Sequence, residues 1–141
     1  MAQVVDTGTE FGAHVAARLD REEVVWLTTV GHSGTPQPNP VWFLWDGDEV
    51  LILSKPGQAK VRNVTANPRV SLNLNSTGEG GEVAVLTGRA RIDAAGLGPA
   101  ELDAYTKKYR EPMTRIGYTP EGFYPDYSTL IRITPERLRG F

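Results

Sequence analysis

The sequence predicts a mainly β protein, an antiparallel barrel of six strands with a few short helices, and three observations carry that expectation. Six runs dense in β-branched and aromatic residues are separated by turn residues. Only three stretches have helical spacing, too few to place a helix between nearly every strand pair as a doubly wound parallel sheet requires. The 141 residues suit a single domain over 1–141, with no internal repeat and no interdomain linker.

Thr7-Gly-Thr-Glu10 has the spacing of a capping box, and Phe11, Val15 and Leu19 recur every four residues, which predicts a helix to about Arg21. Val24 to Val30 reads as the first strand and Gly31-His-Ser-Gly34 as its turn. Pro38 to Trp45 reads as the second strand, joined through Asp46-Gly-Asp48 to a third over Glu49 to Ser54. Gln58 to Ala66 follows as a short helix stopped by Asn67-Pro68, because a residue before proline disfavours the helical region. Arg69 to Asn75 is the fourth strand and Glu82 to Asp93 the fifth, with a bulge or bend expected at Gly88. A helix begins at Pro99 with Leu102, Tyr105 and Tyr109 on one face. Glu111 to Asp126 reads as irregular, and Ser128 to Thr134 is the sixth strand. The second strand is apolar on both faces, so both should be covered, one by the barrel core and one by a partner subunit.

Composition excludes several classes of chemistry. There is no cysteine, so disulfides, thiolate metal sites and a cysteine nucleophile are absent together. His14 and His32 stand apart without acidic companions at ligand spacing, so no metal site is expected. A formal charge of −2 offers no global attraction to nucleic acid or to an acidic membrane. No basic stretch followed by an apolar run opens the sequence, and no segment approaches the roughly 18 apolar residues of a span, so a soluble cytoplasmic protein is expected. Neither a dinucleotide fingerprint, a P-loop nor a Gly-x-Ser-x-Gly elbow is present, which leaves hydrolase readings without support.

The order of residues from Trp26 to Leu74 is more specific. A strand, Gly-x-Pro, a strand carrying Pro-Val-Trp-Phe, Asp-Gly-Asp, a strand ending in Ser, then Lys-x-Arg-Asn and Asn-Pro-Arg-Val follow one another. This run resembles the pyridoxamine-phosphate-oxidase-like split-barrel superfamily, particularly its deazaflavin-dependent branch. Thr87 to Arg91 and Leu130 to Pro135 sit where that family places its last two strands. The resemblance implies a six-stranded split barrel and a homodimer with two cofactors in interfacial grooves, each touched by both subunits. Coenzyme F420 is the first choice of cofactor and flavin mononucleotide the alternative. The pyridoxamine phosphate oxidases carry C-terminal substrate residues that this chain lacks, which argues against vitamin B6 chemistry.

The candidate phosphate site is Ser54, Lys55, Gln58, Ala59 and Lys60, where a strand ends and a helix begins. Unpaired amides and the helix dipole attract an anion there, the Ser54 hydroxyl can donate, and Lys60 adds a point charge. Many deazaflavin-binding relatives carry a second basic residue where this chain has Gln58. Helix spacing alone would leave these as solvated surface residues. Arg62, two positions from Lys60, points to another side of the helix. Asn63 is a candidate contact whose competing reading is structural, satisfying backbone near a helix end.

Pro40, Val41 and Trp42 are placed along the expected ring site, with an apolar residue against one ring face. Tyr127 or Arg132 could edge the groove of a partner, while the spacing of Tyr105 and Tyr109 favours helix packing. The expected function is an F420-dependent oxidoreductase that transfers a hydride between the deazaflavin and a small organic acceptor. No catalytic side chain is assigned, because no acid–base dyad is visible. The alternatives are an oxidoreductase using flavin mononucleotide, a non-catalytic flavin or heme carrier, and a structural dimer with an empty groove.

Overall fold

The computed structural model describes residues 3–141. Its first element, α1 (Glu10–Arg21), starts two residues later than the Thr7 spacing suggests. Thr9 is the cap, its hydroxyl accepting from the Gly12 N–H at 2.9 Å. Val15 and Leu19 are buried, and Arg18 beside them is only 4 % exposed. The Arg18 guanidinium donates to the carbonyls of Glu82 at 2.6 Å and Asn75 at 2.7 Å and pairs with Glu22 at 2.6 Å, which pins the helix to the sheet.

The strands are β1 (Val25–Val30), β2 (Pro36–Val41), β3 (Leu44–Trp45), β4 (Val50–Ser54), β5 (Arg69–Asn73), β6 (Ala84–Asp93) and β7 (Thr129–Gly140). They form one antiparallel sheet in the order β2-β1-β5-β6-β7-β4-β3. The expected second strand is therefore two strands, and these are the two edges of the sheet. Only Trp42 and Phe43 separate them. A chain that passes from one edge to the other in two residues forces the sheet to curl on itself, which is the mainly β, antiparallel split barrel that the sequence predicts. Counted as one bent strand, β2 and β3 restore the expected six.

The bend is held by the next layer. The remaining helices are α2 (Ala59–Ala66), α3 (Pro99–Arg115) and α4 (Pro120–Asp126). The N–H of the buried Phe43 donates to the Tyr109 hydroxyl of α3 at 2.8 Å. The Phe43 carbonyl lies 2.7 Å from that hydroxyl and accepts from Lys108 Nζ at 3.0 Å. Both backbone polar groups of Phe43 thus leave the ladder for side chains, as a buried bend requires. The Phe43 ring enters the barrel core with Leu27, Val50, Ile52 and Ile131, whereas Leu44 and Trp42 face a second apolar cluster under α3 and α4. Both faces of the apolar stretch from Trp42 to Leu44 are therefore covered within the chain, so that stretch does not itself demand a partner.

Other departures have local causes. The helix α3 runs to Arg115 because Pro112 and Met113 are buried in its last turn, and α4 follows where no helix was expected. The bulge at Gly88 is present as a register shift after Thr87, and a Cβ there would lie 2.2 Å from the Thr134 carbonyl. The shift brings Pro135 opposite Gly88 and lets β7 continue to Gly140, beyond the expected end at Thr134. Arg132 is held by carboxylates of its own chain. It forks onto Glu101 at 2.7 Å and meets Asp93 at 2.6 Å, fastening the start of α3 to β7.

Replacing Tyr109 with Phe keeps the ring but leaves the buried Phe43 N–H unsatisfied, which should lower unfolding stability by about 1–3 kcal/mol in urea titrations. A change below about 0.5 kcal/mol would show that this hydroxyl does not hold the bend. Lys108 makes a second test. Burial lowers its ammonium to about 8 from 10.5, partly offset by the carboxylates of Asp20, Glu23 and Glu22. The unfolded chain then keeps this proton to higher pH than the folded one, so the folded state gains stability as pH rises from 8 towards 10.5. Wild type should gain on Lys108→Met across that window in paired denaturation curves, whereas a constant difference would contradict the desolvated cation.

Candidate functional site

Where the sheet bends, its outer face and the two C-terminal helices enclose a groove of about 420 Å³. Its lining is Val24, Pro40, Val41, Trp42, Leu53, Lys60, Tyr105, Ile116, Phe123 and Tyr127. The aromatic members form an ordered wall. Trp42 stacks on Tyr109 at 4.8 Å and on Phe123 at 5.7 Å, and Phe123 stacks on Tyr127 at 4.3 Å with planes 10° apart. At the rim, Ile116 is 53 % exposed, an apolar side chain left open to water beside the groove.

Among the described residues, Lys60 supplies the lining's only formal charge. It stands at the second position of α2, half-buried, and its ammonium has no hydrogen-bond or ion-pair partner among the described residues. Desolvation lowers its pKa, as expected for a cation drawn from water without an anion in return. No side chain caps α2: Gln58 is the cap residue but makes no side-chain bond there, so the first amides of the helix stay open. The lining carries no carboxylate. A flat apolar body with an anionic end fits this arrangement, since rings meet the aromatic wall and negative charge meets Lys60 and the open amides.

The structure brings Pro40, Val41, Trp42 and Lys60 together around the groove. Lys55, Gln58 and Ala59 are exposed on the adjoining turn, where Lys55 Nζ sits 5.5 Å over the ring of Tyr127. Ser54 is buried, and its hydroxyl donates to the Lys55 carbonyl at 2.8 Å, so it is committed within the chain. Asn63 ties α2 to the sheet, donating to Thr29 Oγ1 at 3.0 Å and to Gln37 Oε1 at 3.3 Å. Arg62 turns back to the Gly57 carbonyl and stays out of the groove. Of the histidines, His14 pairs with Glu82 at 2.6 Å and His32 is exposed. Among the described residues no group of three His, Cys, Asp or Glu side chains could hold a metal, and no helix is long and apolar enough to cross a membrane.

Val24, Leu53, Ile116 and Phe123 are lining residues that the sequence did not single out; Tyr105, read from its spacing as helix packing, also lines the groove, and Tyr127 belongs to this chain's own groove. A signal for α4 was present: Thr119 before Pro120 is a cap followed by proline at the first helical position, and its hydroxyl accepts from the Gly122 N–H at 3.2 Å.

The pattern of the pyridoxamine 5'-phosphate oxidase family matches residues 11–141, nearly the whole chain. The chain belongs to this family. Solved structures agree. An F420 reductase superposes with a TM-score of 0.67 at 26 % identity, over 87 % of this chain and 94 % of that one. A conserved hypothetical protein from Mycobacterium tuberculosis gives 0.67 at 23 % identity over 93 % and 82 %. The heme storage protein HutZ from Vibrio cholerae gives 0.64 at 18 % identity over 94 % and 95 %. At such identities the last two speak for the fold alone.

Proposed function

We propose that this protein is an oxidoreductase that binds coenzyme F420 in the aromatic groove, the acidic tail of the coenzyme reaching Lys60 and the start of α2. The observation that supports this reading most is the unpartnered, half-buried Lys60 beside uncapped helix amides at the end of an aromatic wall. The likeness to an F420 reductase adds to it. Trp42, Phe123 and Tyr127 would hold the ring flat, Pro40 and Val41 would offer backbone along its edge, and Lys60 would hold the phosphate. Lys55, Gln58 and Ala59 lie close enough on the turn to contact a phosphate from the solvent side. Ser54 and Asn63 would act indirectly, by shaping that turn and by fixing α2 on the sheet.

Bound in this way, a reduced deazaflavin would supply a hydride to an electron-poor organic acceptor. The protein's own part is orientation and exclusion of water. The groove offers no carboxylate or histidine for proton transfer, which leaves the proton to water or to a tyrosine hydroxyl. Flavin mononucleotide, with its ring and phosphate, is the competing ligand for the same groove.

The assembly we assign is a homodimer in the cytoplasm. The strand β2 is exposed along nearly its whole length, and the groove beside it is open at Ile116, so a second copy covering this edge would close the site. Light scattering at micromolar concentration should return twice the 15.4 kDa chain mass. A single-chain mass at all concentrations would remove the dimer from the proposal.

Parallel titrations with coenzyme F420, flavin mononucleotide and hemin, followed by absorbance and fluorescence, decide the ligand, with F420 expected tightest. Lys60→Ala should weaken F420 binding by roughly ten- to a hundredfold without unfolding the protein. Lys107→Ala removes the same charge from an exposed position on α3 and should change binding by less than about twofold. Salt should weaken wild type more than Lys60→Ala, because the variant has already lost the screened attraction. Unchanged binding in Lys60→Ala would move the phosphate away from α2.

A further inference from the structure

The five tyrosines of the chain are unequal in how their hydroxyls are used. Tyr109 accepts from the backbone N–H of Phe43 at the strand bend, Tyr118 donates to Asp126 at 2.7 Å, and Tyr124 meets Thr106 Oγ1. Tyr127 has no partner among the described residues, but it is only half-buried and water can serve it. Tyr105 also has none, and it is 1 % exposed. Its ring is packed by Tyr109 at 4.7 Å, Phe123 at 6.1 Å and Tyr124 at 6.1 Å. Among the described residues no sealed side-chain polar atom lacks a hydrogen bond. The small part of Tyr105 that remains accessible therefore includes its hydroxyl, and Tyr105 lines the groove.

We infer that the Tyr105 hydroxyl is a positioning donor that receives the carbonyl oxygen of a flat conjugated ring lying in the groove. The inference rests on the reading above that a flat ring occupies this space, and it adds what fixes the ring's orientation. A nearly buried hydroxyl facing apolar walls gains from an acceptor that follows a ligand into the groove, because leaving it unpaired is unfavourable. Burial also raises the phenol's pKa, so the group stays protonated and donates at every pH where the fold is kept. The rest of the lining agrees: it holds an ammonium, aromatic faces and no carboxylate, a set that welcomes oxygen acceptors and rejects cationic amines. The carbonyl can belong to the coenzyme's ring system or to a separate aryl ketone acting as acceptor.

The test uses the cofactor-free, full-length protein and three probes: coenzyme F420, 2-acetylnaphthalene, and 2-ethylnaphthalene, which has nearly the same shape without the oxygen. Tyr105→Phe keeps the packing ring, and circular dichroism establishes that it is folded. Tyr105→Phe should weaken 2-acetylnaphthalene, F420 or both by about 5- to 30-fold, while 2-ethylnaphthalene binds within about twofold of wild type. A loss confined to F420 assigns the carbonyl to the coenzyme, and a loss confined to the aryl ketone assigns it to the acceptor. Equal losses for all three probes would make Tyr105 a packing residue and overturn the inference, as would no loss for either carbonyl probe. If F420 fails to bind wild type while the aryl ketone still depends on Tyr105, the deazaflavin reading falls and the donor stands.

Discussion

The peptide at Phe43 is the constraint on which the rest of the molecule depends. A strand that serves both edges of one sheet must break its ladder somewhere, and the break lies in a buried place where water cannot satisfy the freed groups. Tyr109 and Lys108 of α3 answer that need, taking the Phe43 N–H and carbonyl at 2.8 Å and 3.0 Å. The consequence reaches the groove directly. With its backbone held by α3, the bend sends Phe43 into the barrel and Trp42 out onto Tyr109 and Phe123, so the aromatic wall and the closure of the barrel come from one arrangement.

That arrangement is stiff where the groove needs shape and open where it needs charge. Arg132 fastens the start of α3 through Glu101 and Asp93, and Arg18 fastens α1, both by guanidinium groups with several partners. Lys60 and the first amides of α2 are left without such partners. Elsewhere among the described residues sealed side-chain polar atoms are paired. What sets this groove apart is a cation drawn partly out of water with no anion in return, beside open helix amides.

The fold was legible because its signals are local. Asp46-Gly-Asp48 and Gly88 mark a hairpin and a bulge by backbone chemistry that few other residues supply, and both are found where they were read. The split of the second strand was not legible, since Trp42 and Phe43 alternate as they would in a straight strand. What bends them is a hydroxyl and an ammonium more than sixty residues away. The same distance hid half of the groove. Pro40, Val41, Trp42 and Lys60 could be proposed from their own neighbourhood, but Tyr105 and Phe123 come from helices, and Ile116 from the turn after one, whose placement depends on tertiary packing. Ser54 was read correctly as the end of a strand, yet its hydroxyl turns to the Lys55 carbonyl, a choice that residue type alone does not decide.

Relatives of one fold that include an F420 reductase and a heme storage protein make clear that the barrel does not choose the ligand. The choice must lie in what each groove presents. Here an iron porphyrin would find no histidine or cysteine in the lining, and a cationic ligand would find no carboxylate. An anionic, planar ligand finds a cation already stripped of part of its water and aromatic faces stacked within 22° of one another. Because that desolvation is suffered on folding, before any ligand arrives, an anion entering beside Lys60 meets a site whose unfavourable step is already taken. Preorganisation of this kind favours a ligand that fills wall and charge at once over one that satisfies only either, which is the discrimination a shared fold needs from so small a groove.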